Sequence, residues 1–281
     1  ADQNILARAL FWKAETEFHL NNFQESLISF KQFQQDSKAN ATVEYQELNY
    51  SLAYVYFKLK NYEQAAAHFD SFVKNANKNK PQLNDAYLRL GDSYFMATNY
   101  KQAINAYEKA NQIGTVEKDY AAFQIAMSQG YLGKTNDKIS DLKSFITTYK
   151  NSGLRDDALF ELANTLVKTN QTNEALNLYD QLNSEYKSSV FVPRSLLRQG
   201  LVYYNNNNTT KALEKFKKVA GDFPNSEEAN QAVATARLIY IDLGEVDQYA
   251  KWVKTLNFIE VTDADLDNTT YLSAEKQYLD G

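Results

Sequence analysis

The stretch YLRLGDSYFMATNYKQAINAYEKA, residues 87–110, recurs in altered form along the whole chain. That recurrence limits the fold more than any other feature, because a fixed period of a few tens of residues marks a stack of small identical units. Within the stretch, Tyr87, Leu90, Gly91 and Tyr94 stand at offsets 0, 3, 4 and 7, one face of a helix. Ala97-Thr98-Asn99 breaks the pattern. Tyr100, Ala103, Ile104, Tyr107 and Ala110 then define a second amphipathic face. Gly91 and Ala103 are small enough to let the two backbones approach, and the large rings beside them fill the space that remains.

The small residue opening the second face serves as a marker. It falls at Ser26, Ala65, Ala103, Lys138, Ala175, Ala212 and Tyr249, in steps of 39, 38, 35, 37, 37 and 37 residues. The first-helix small position falls at Ala14, Ala53, Gly91, Ala126, Ala163 and Gly200, with Arg237 as the outlier. Lys138 and Tyr249 are too large for the marker position and predict wider helix pairs there, unless Lys138 carries its charge outward on its long stem. Asn-rich turns precede nearly all the second helices, and Asn tolerates left-handed turn geometry.

The pattern of an aromatic, Leu90-Gly91, Tyr94, Ala103, Tyr107 and Ala110 at this spacing resembles the tetratricopeptide repeat. The resemblance implies an all-α, right-handed superhelical solenoid of tandem helix–turn–helix units, its concave face lined by the first helix of each unit. Seven repeats are expected, over about 1–40, 41–79, 80–114, 115–152, 153–190, 191–226 and 227–262, the seventh degenerate. Each pair buries its apolar face on its neighbours, giving a quasi-one-dimensional core. Residues 263–281 fit the first helix of an eighth repeat, with Ala274 aligned to Ala14 and Tyr278 to Phe18. On this reading the eighth repeat is cut at Asp280-Gly281, and the chain is part of a longer array. Ala1, with no leader before it, reads either as a processed terminus or as the boundary of an excised segment.

Composition agrees with helices: 9 Gly and 3 Pro in 281 residues leave few tight turns. A net charge of −5, with no basic stripe, argues against a nucleic-acid partner. No apolar run is long enough to span a membrane. With no cysteine, disulfides, thiolate metal sites and Cys nucleophiles are excluded.

Three motifs invite a chemical reading, and each has a plainer one. Gly130–Thr135 ends like a phosphate-binding loop, but Ser128 stands where the first Gly belongs and the match falls on a turn between helices. Asp263, Asp265 and Asp267 alternate as in a calcium loop, yet Asn268 and Ala274 replace the needed Gly and Glu. There, Asp267 or Asn268 serves better as the cap of a last helix. His19 and His68 have no His or Cys partner at metal spacing. No enzyme activity, metal or cofactor is expected.

The resemblance places positions 2, 5, 9 and 12 of each first helix on the groove. The candidate partner-binding residues are Phe11, Tyr50, Tyr54, Phe57, Phe95, Tyr120, Phe123 and Met127, with Tyr131 beside Gly130. Rings and Met with few charges match the core of an interface. The alternative is that many of these rings pack on the neighbouring repeat. A sugar platform is disfavoured, since Trp12 and Trp252 lie in distant repeats.

The expected function is a non-catalytic scaffold binding a peptide or protein partner. The alternative is a helical accessory region of a larger envelope enzyme or secretion or assembly machine. The junction GDFPNSEEANQA (221–232) resembles those of bacterial outer-membrane assembly lipoproteins and the periplasmic Tol–Pal coordinator. That resemblance implies a bacterial periplasm or cell envelope, with the cytoplasm left open.

Overall fold

The structure, a computed structural model, describes residues 4–74 and 79–279. The expected breaks at Ala1 and at Asp280-Gly281 lie outside the described residues. Fifteen α-helices and no strand are found among them. The chain divides into two compact units, residues 1–154 and 155–281.

The first unit holds four helix pairs: α1 (Ile5–His19) with α2 (Phe23–Gln35), α3 (Leu48–Lys58) with α4 (Tyr62–Val73), α5 (Lys80–Met96) with α6 (Tyr100–Ile113), and α7 (Lys118–Tyr131) with α8 (Thr135–Thr148). Two short 3-10 turns, Ala39–Ala41 and Val43–Gln46, join the first pair to the second. The second unit holds α9 (Arg155–Lys168) with α10 (Thr172–Glu185), α11 (Val192–Asn205) with α12 (Thr209–Asp222), α13 (Glu227–Leu243) with α14 (Val246–Val253), and α15 (Asp263–Leu279).

One backbone device closes all seven pairs. A residue with positive φ sits two positions before each second helix: Asn21, Lys60, Thr98, Gly133, Asn170, Asn207 and Gly244. Around each, the first helix ends on the same two hydrogen bonds. Asn22 N donates to the Glu17 carbonyl and Asn21 N to that of Phe18; Asn99 N donates to Tyr94 and Thr98 N to Phe95; Glu245 N donates to Tyr240 and Gly244 N to Ile241. This is the Schellman ending, which satisfies carbonyls a helix would otherwise leave bare and turns the chain back at once. Gly133 therefore belongs to a turn rather than to a phosphate loop. Asn61 and Asn208 then cap the following helices through their side chains.

The small positions behave as their spacing requires. Ala14, Ala53, Ala126, Ala163, Ala65, Ala103, Ala175 and Ala212 are fully buried. A Cβ on Gly91 would sit 2.5 Å from the Tyr107 ring, and one on Gly200 would collide with the Phe216 ring. Fully buried rings at Phe30, Phe69, Tyr107, Tyr179 and Phe216 fill the layers between these contacts, each stabilising by about 1.5–3 kcal/mol.

Two departures resolve differently from the sequence expectation. Lys138 does not wedge its pair apart, because its stem lies over Gly130, where an added Cβ would meet Lys138 Cδ at 2.7 Å. Arg237 leaves its own pair and donates from Nε to Thr269 Oγ1 on α15 at 2.8 Å. Ser273 Oγ donates to the Ile241 carbonyl at 3.0 Å and Lys276 Nζ pairs with Asp242 Oδ1 at 3.2 Å, so α15 is fastened to α13 by all three. Thr269 and Ser273 are buried there, whereas Ala274 and Tyr278 are exposed.

The last helix begins at Asp263, so neither Asp267 nor Asn268 caps it. Thr262 and Asp265 do so reciprocally: Thr262 N donates to Asp265 Oδ2 at 2.9 Å and Asp265 N to Thr262 Oγ1 at 3.2 Å. Asp263, Asp265 and Asp267 thus lie on a helix instead of in a loop.

Candidate groove along the first helices

In the 1–154 unit the first helices are tied to one another by carboxylates. Tyr50 and Tyr54, one turn apart on α3, both donate their hydroxyls to Asp85 Oδ2 on α5, at 2.6 and 2.5 Å. Two turns along α5, Asp92 Oδ1 accepts from Tyr107 at 2.8 Å and from Tyr120 of α7 at 2.7 Å. Arg89 lies between these acids. It donates to Asp92 Oδ2 at 2.6 Å, contacts Asp85 Oδ1 at 3.4 Å and reaches Glu117 at 3.1 Å. At the start of the unit, Arg8 and the Trp12 indole both donate to Glu44 Oε1.

Burial, and then the neighbouring carboxylates, push the hydroxyls of Tyr50, Tyr54, Tyr107 and Tyr120 above the usual tyrosine range. They are neutral donors at any physiological pH. Among the described residues, no group of three or more His, Cys, Asp or Glu is placed to hold a metal ion.

The sequence-derived candidates separate into three sets. Phe11 and Phe123 are corrected to core residues, 3 % and 8 % exposed, against Phe30 and Phe33 in one case and Phe145 in the other. Their helix position faces the paired second helix, so they offer almost no surface. Phe57 and Phe95 pack across their turns on Tyr62 and Tyr100, ring centroids 5.4 Å apart in both pairs. Tyr131 is exposed and stacks on Tyr100 at 4.9 Å. Tyr50, Tyr54, Tyr120 and Met127 are half-buried along the first helices.

One opening lies between the first two pairs. Glu15, Phe18 and His19 of α1 face Tyr50, Ser51 and Tyr54 of α3 across a pocket of about 220 Å3 floored by Phe30. Ser51 Oγ donates to Glu15 Oε1 at 2.5 Å, and His19 Nε2 lies 4.0 Å from Glu15 Oε2. The pocket brings together Tyr50 and Tyr54 from the candidate set with Glu15 and Phe18, which stand at groove positions of α1. It leaves Phe95, Tyr120, Phe123, Met127 and Tyr131 elsewhere.

These features define a class: an all-helical protein of tandem helix pairs joined by a repeated turn. Tetratricopeptide repeat models match residues 45–114 and residues 120–152, 157–189 and 194–226, together more than half of the sequence. The chain belongs to the tetratricopeptide repeat family. No curated protein sequence matches it significantly. Among solved structures it is similar to a tetratricopeptide repeat protein from Parabacteroides merdae, with 15 % identity, a TM-score of 0.59, and 95 % of this chain and 98 % of that one covered. It is also similar to PilW, a type IV pilus biogenesis factor, with 16 % identity, a TM-score of 0.55 and coverage of 83 % and 100 %. YrrB, described as having an unusual peptide-binding site, matches with 20 % identity, a TM-score of 0.52 and coverage of 70 % and 97 %. At these identities the likenesses show the shared fold.

Proposed function

We propose that this chain is a non-catalytic protein-interaction scaffold that binds a peptide or protein segment along the first helices of its 1–154 unit. The observation that carries the reading is the pocket between α1 and α3, where half-buried rings from two successive first helices line an opening. Repeats of this family serve widely as interaction modules, and the family is generally non-catalytic. Half-buried tyrosines pinned at their hydroxyls lose little further freedom on binding, which favours their use as anchors. The wider first-helix surface in this reading includes Tyr120, Met127 and Tyr131.

We also propose a bacterial periplasm or cell envelope as its location, with the cytoplasm as the alternative. The Phe223-Pro224-Asn225-Ser226 junction supports this location, as does the likeness to PilW, a type IV pilus biogenesis factor. No helix among the described residues is long and apolar enough to cross a membrane.

The test is a hydrogen-exchange footprint of the whole chain with a peptide selected from a displayed random library. Protection concentrated on α1, α3, α5 and α7 is the expected result. Protection confined to the second helices α2, α4, α6 and α8 would overturn the groove assignment.

A further inference from the structure

The α1–α3 pocket has a chemistry more specific than an apolar groove. Three of its rings meet as walls over Phe30: Tyr50 and Tyr54 are 5.1 Å apart at 70°, and Phe18 and Tyr54 are 6.4 Å apart at 71°. Ring faces are electron-rich and ring edges electropositive, so these edge-to-face walls give the pocket an apolar lining against which the stem of a long side chain can pack. Both tyrosine hydroxyls donate to the same carboxylate oxygen of Asp85, outside the pocket. A phenol donating to a carboxylate is polarised toward phenolate, and its ring becomes a better acceptor for a cation.

The mouth carries a second acceptor. Ser51 fixes the Glu15 carboxylate through Oε1, leaving Oε2 beside the exposed His19 imidazole. At about 220 Å3 the pocket falls below the roughly 300–1,000 Å3 that drug-sized ligands occupy, and it suits one long side chain. Rings on three sides and one oriented carboxylate complement a positive charge on an apolar stem.

We propose that this pocket takes the lysine or arginine side chain of the partner segment, its stem between the rings and its charge on Glu15. The inference rests on the groove reading above and specifies what the partner must carry. A basic residue is then the anchor of the bound segment, and an acidic residue at that place is rejected by Glu15.

The experiment uses the whole chain and peptides selected on it from a displayed random library. Each binder is remade with its lysine or arginine replaced by norleucine, and affinities are measured for the wild type, Glu15→Gln and Phe18→Leu. Glu15→Gln keeps an oxygen for Ser51, and Phe18→Leu keeps apolar bulk while removing a ring face. Unchanged thermal unfolding of both variants confirms that each is folded.

The expected result is binders that share a basic residue. Norleucine at that residue weakens binding at least tenfold, Glu15→Gln by a similar factor, and Phe18→Leu roughly fivefold to tenfold. Glu15→Gln should cost nothing further once norleucine is present. Binders that footprint on the first helices yet tolerate norleucine or Glu15→Gln would overturn this inference and leave the groove reading standing. A library that yields no binder, or binders on the second helices, would overturn both.

Discussion

The two units share a backbone rule and differ in the polar chemistry laid over it. At one register position of the first helix, Asp92 in the 1–154 unit corresponds to Asn164 in the 155–281 unit. The ring four residues beyond the second-helix marker, Tyr107 or Tyr179, donates its hydroxyl to it in both, at 2.8 and 2.7 Å. Asn164 accepts one tyrosine. Asp92 accepts two and pairs with Arg89, and Asp85, two turns back on the same helix, accepts two more from the preceding first helix. The second unit relies more on aliphatic layers, with Leu159, Leu162, Leu166 and Leu196 almost fully buried. The repeat therefore fixes where helices go, and leaves open how deeply the polar seam between first helices is buried: in the second unit Tyr204 donates to Asp242 and Arg194 pairs with Glu228, but both links are exposed.

The largest test of that contrast is Asp92→Asn, which gives the first unit the second unit's side chain. It strips Arg89 of its closest partner and leaves two phenols a weaker acceptor, so the 1–154 unit should lose about 2–3 kcal/mol in urea unfolding. Asn164→Leu removes a single acceptor and strands one buried hydroxyl, so the expected loss is smaller, about 1–2 kcal/mol. Equal losses would show that the carboxylate network adds nothing.

Alkaline pH probes the same difference without mutation. The tyrosines on Asp85 and Asp92 have folded pKa values above the unfolded value of about 10, so their hydroxyls favour the folded state fully below that pH. That stability is lost as pH rises beyond about 10 and the unfolded chain ionises first. Absorbance titration should show at least four late-titrating tyrosines, and hydrogen exchange should show the 1–154 unit opening before the other. Simultaneous opening would contradict the contrast.

The smallest effect tests what the units share. Thr98 is β-branched at a φ of 61°, a conformation that costs a side chain most and glycine least. Thr98→Gly should raise stability by under about 1 kcal/mol, whereas Asn170→Gly in the second unit should be nearly neutral. A loss at Thr98 would argue against the shared turn.

Much of the fold was legible because small residues and rings had to alternate at helical spacing. The turn was only half legible. Asn at three sites and Gly at two announce a left-handed residue, but Lys60 and Thr98 hold the same register with no compositional sign. The fit of Lys138 is hidden in Gly130, which by spacing is a groove position and in the structure gives room for a lysine stem. In the groove, helix position alone did not separate Phe11 and Phe123, which turn inward, from Tyr50 and Tyr54, whose hydroxyls reach the next pair. The missed signal was Asp85 and Asp92 on one face of α5 with Arg89 between them, one repeat away from unpaired tyrosines.

The groove assignment can be tested by site-specific photo-crosslinking in the whole chain. Benzoylphenylalanine is placed either at His19, on the rim of the α1–α3 pocket, or at Ala67, exposed on the second helix α4. With a library-selected peptide, the account predicts crosslinks from position 19 and none from position 67. Crosslinks from position 67 alone would contradict it.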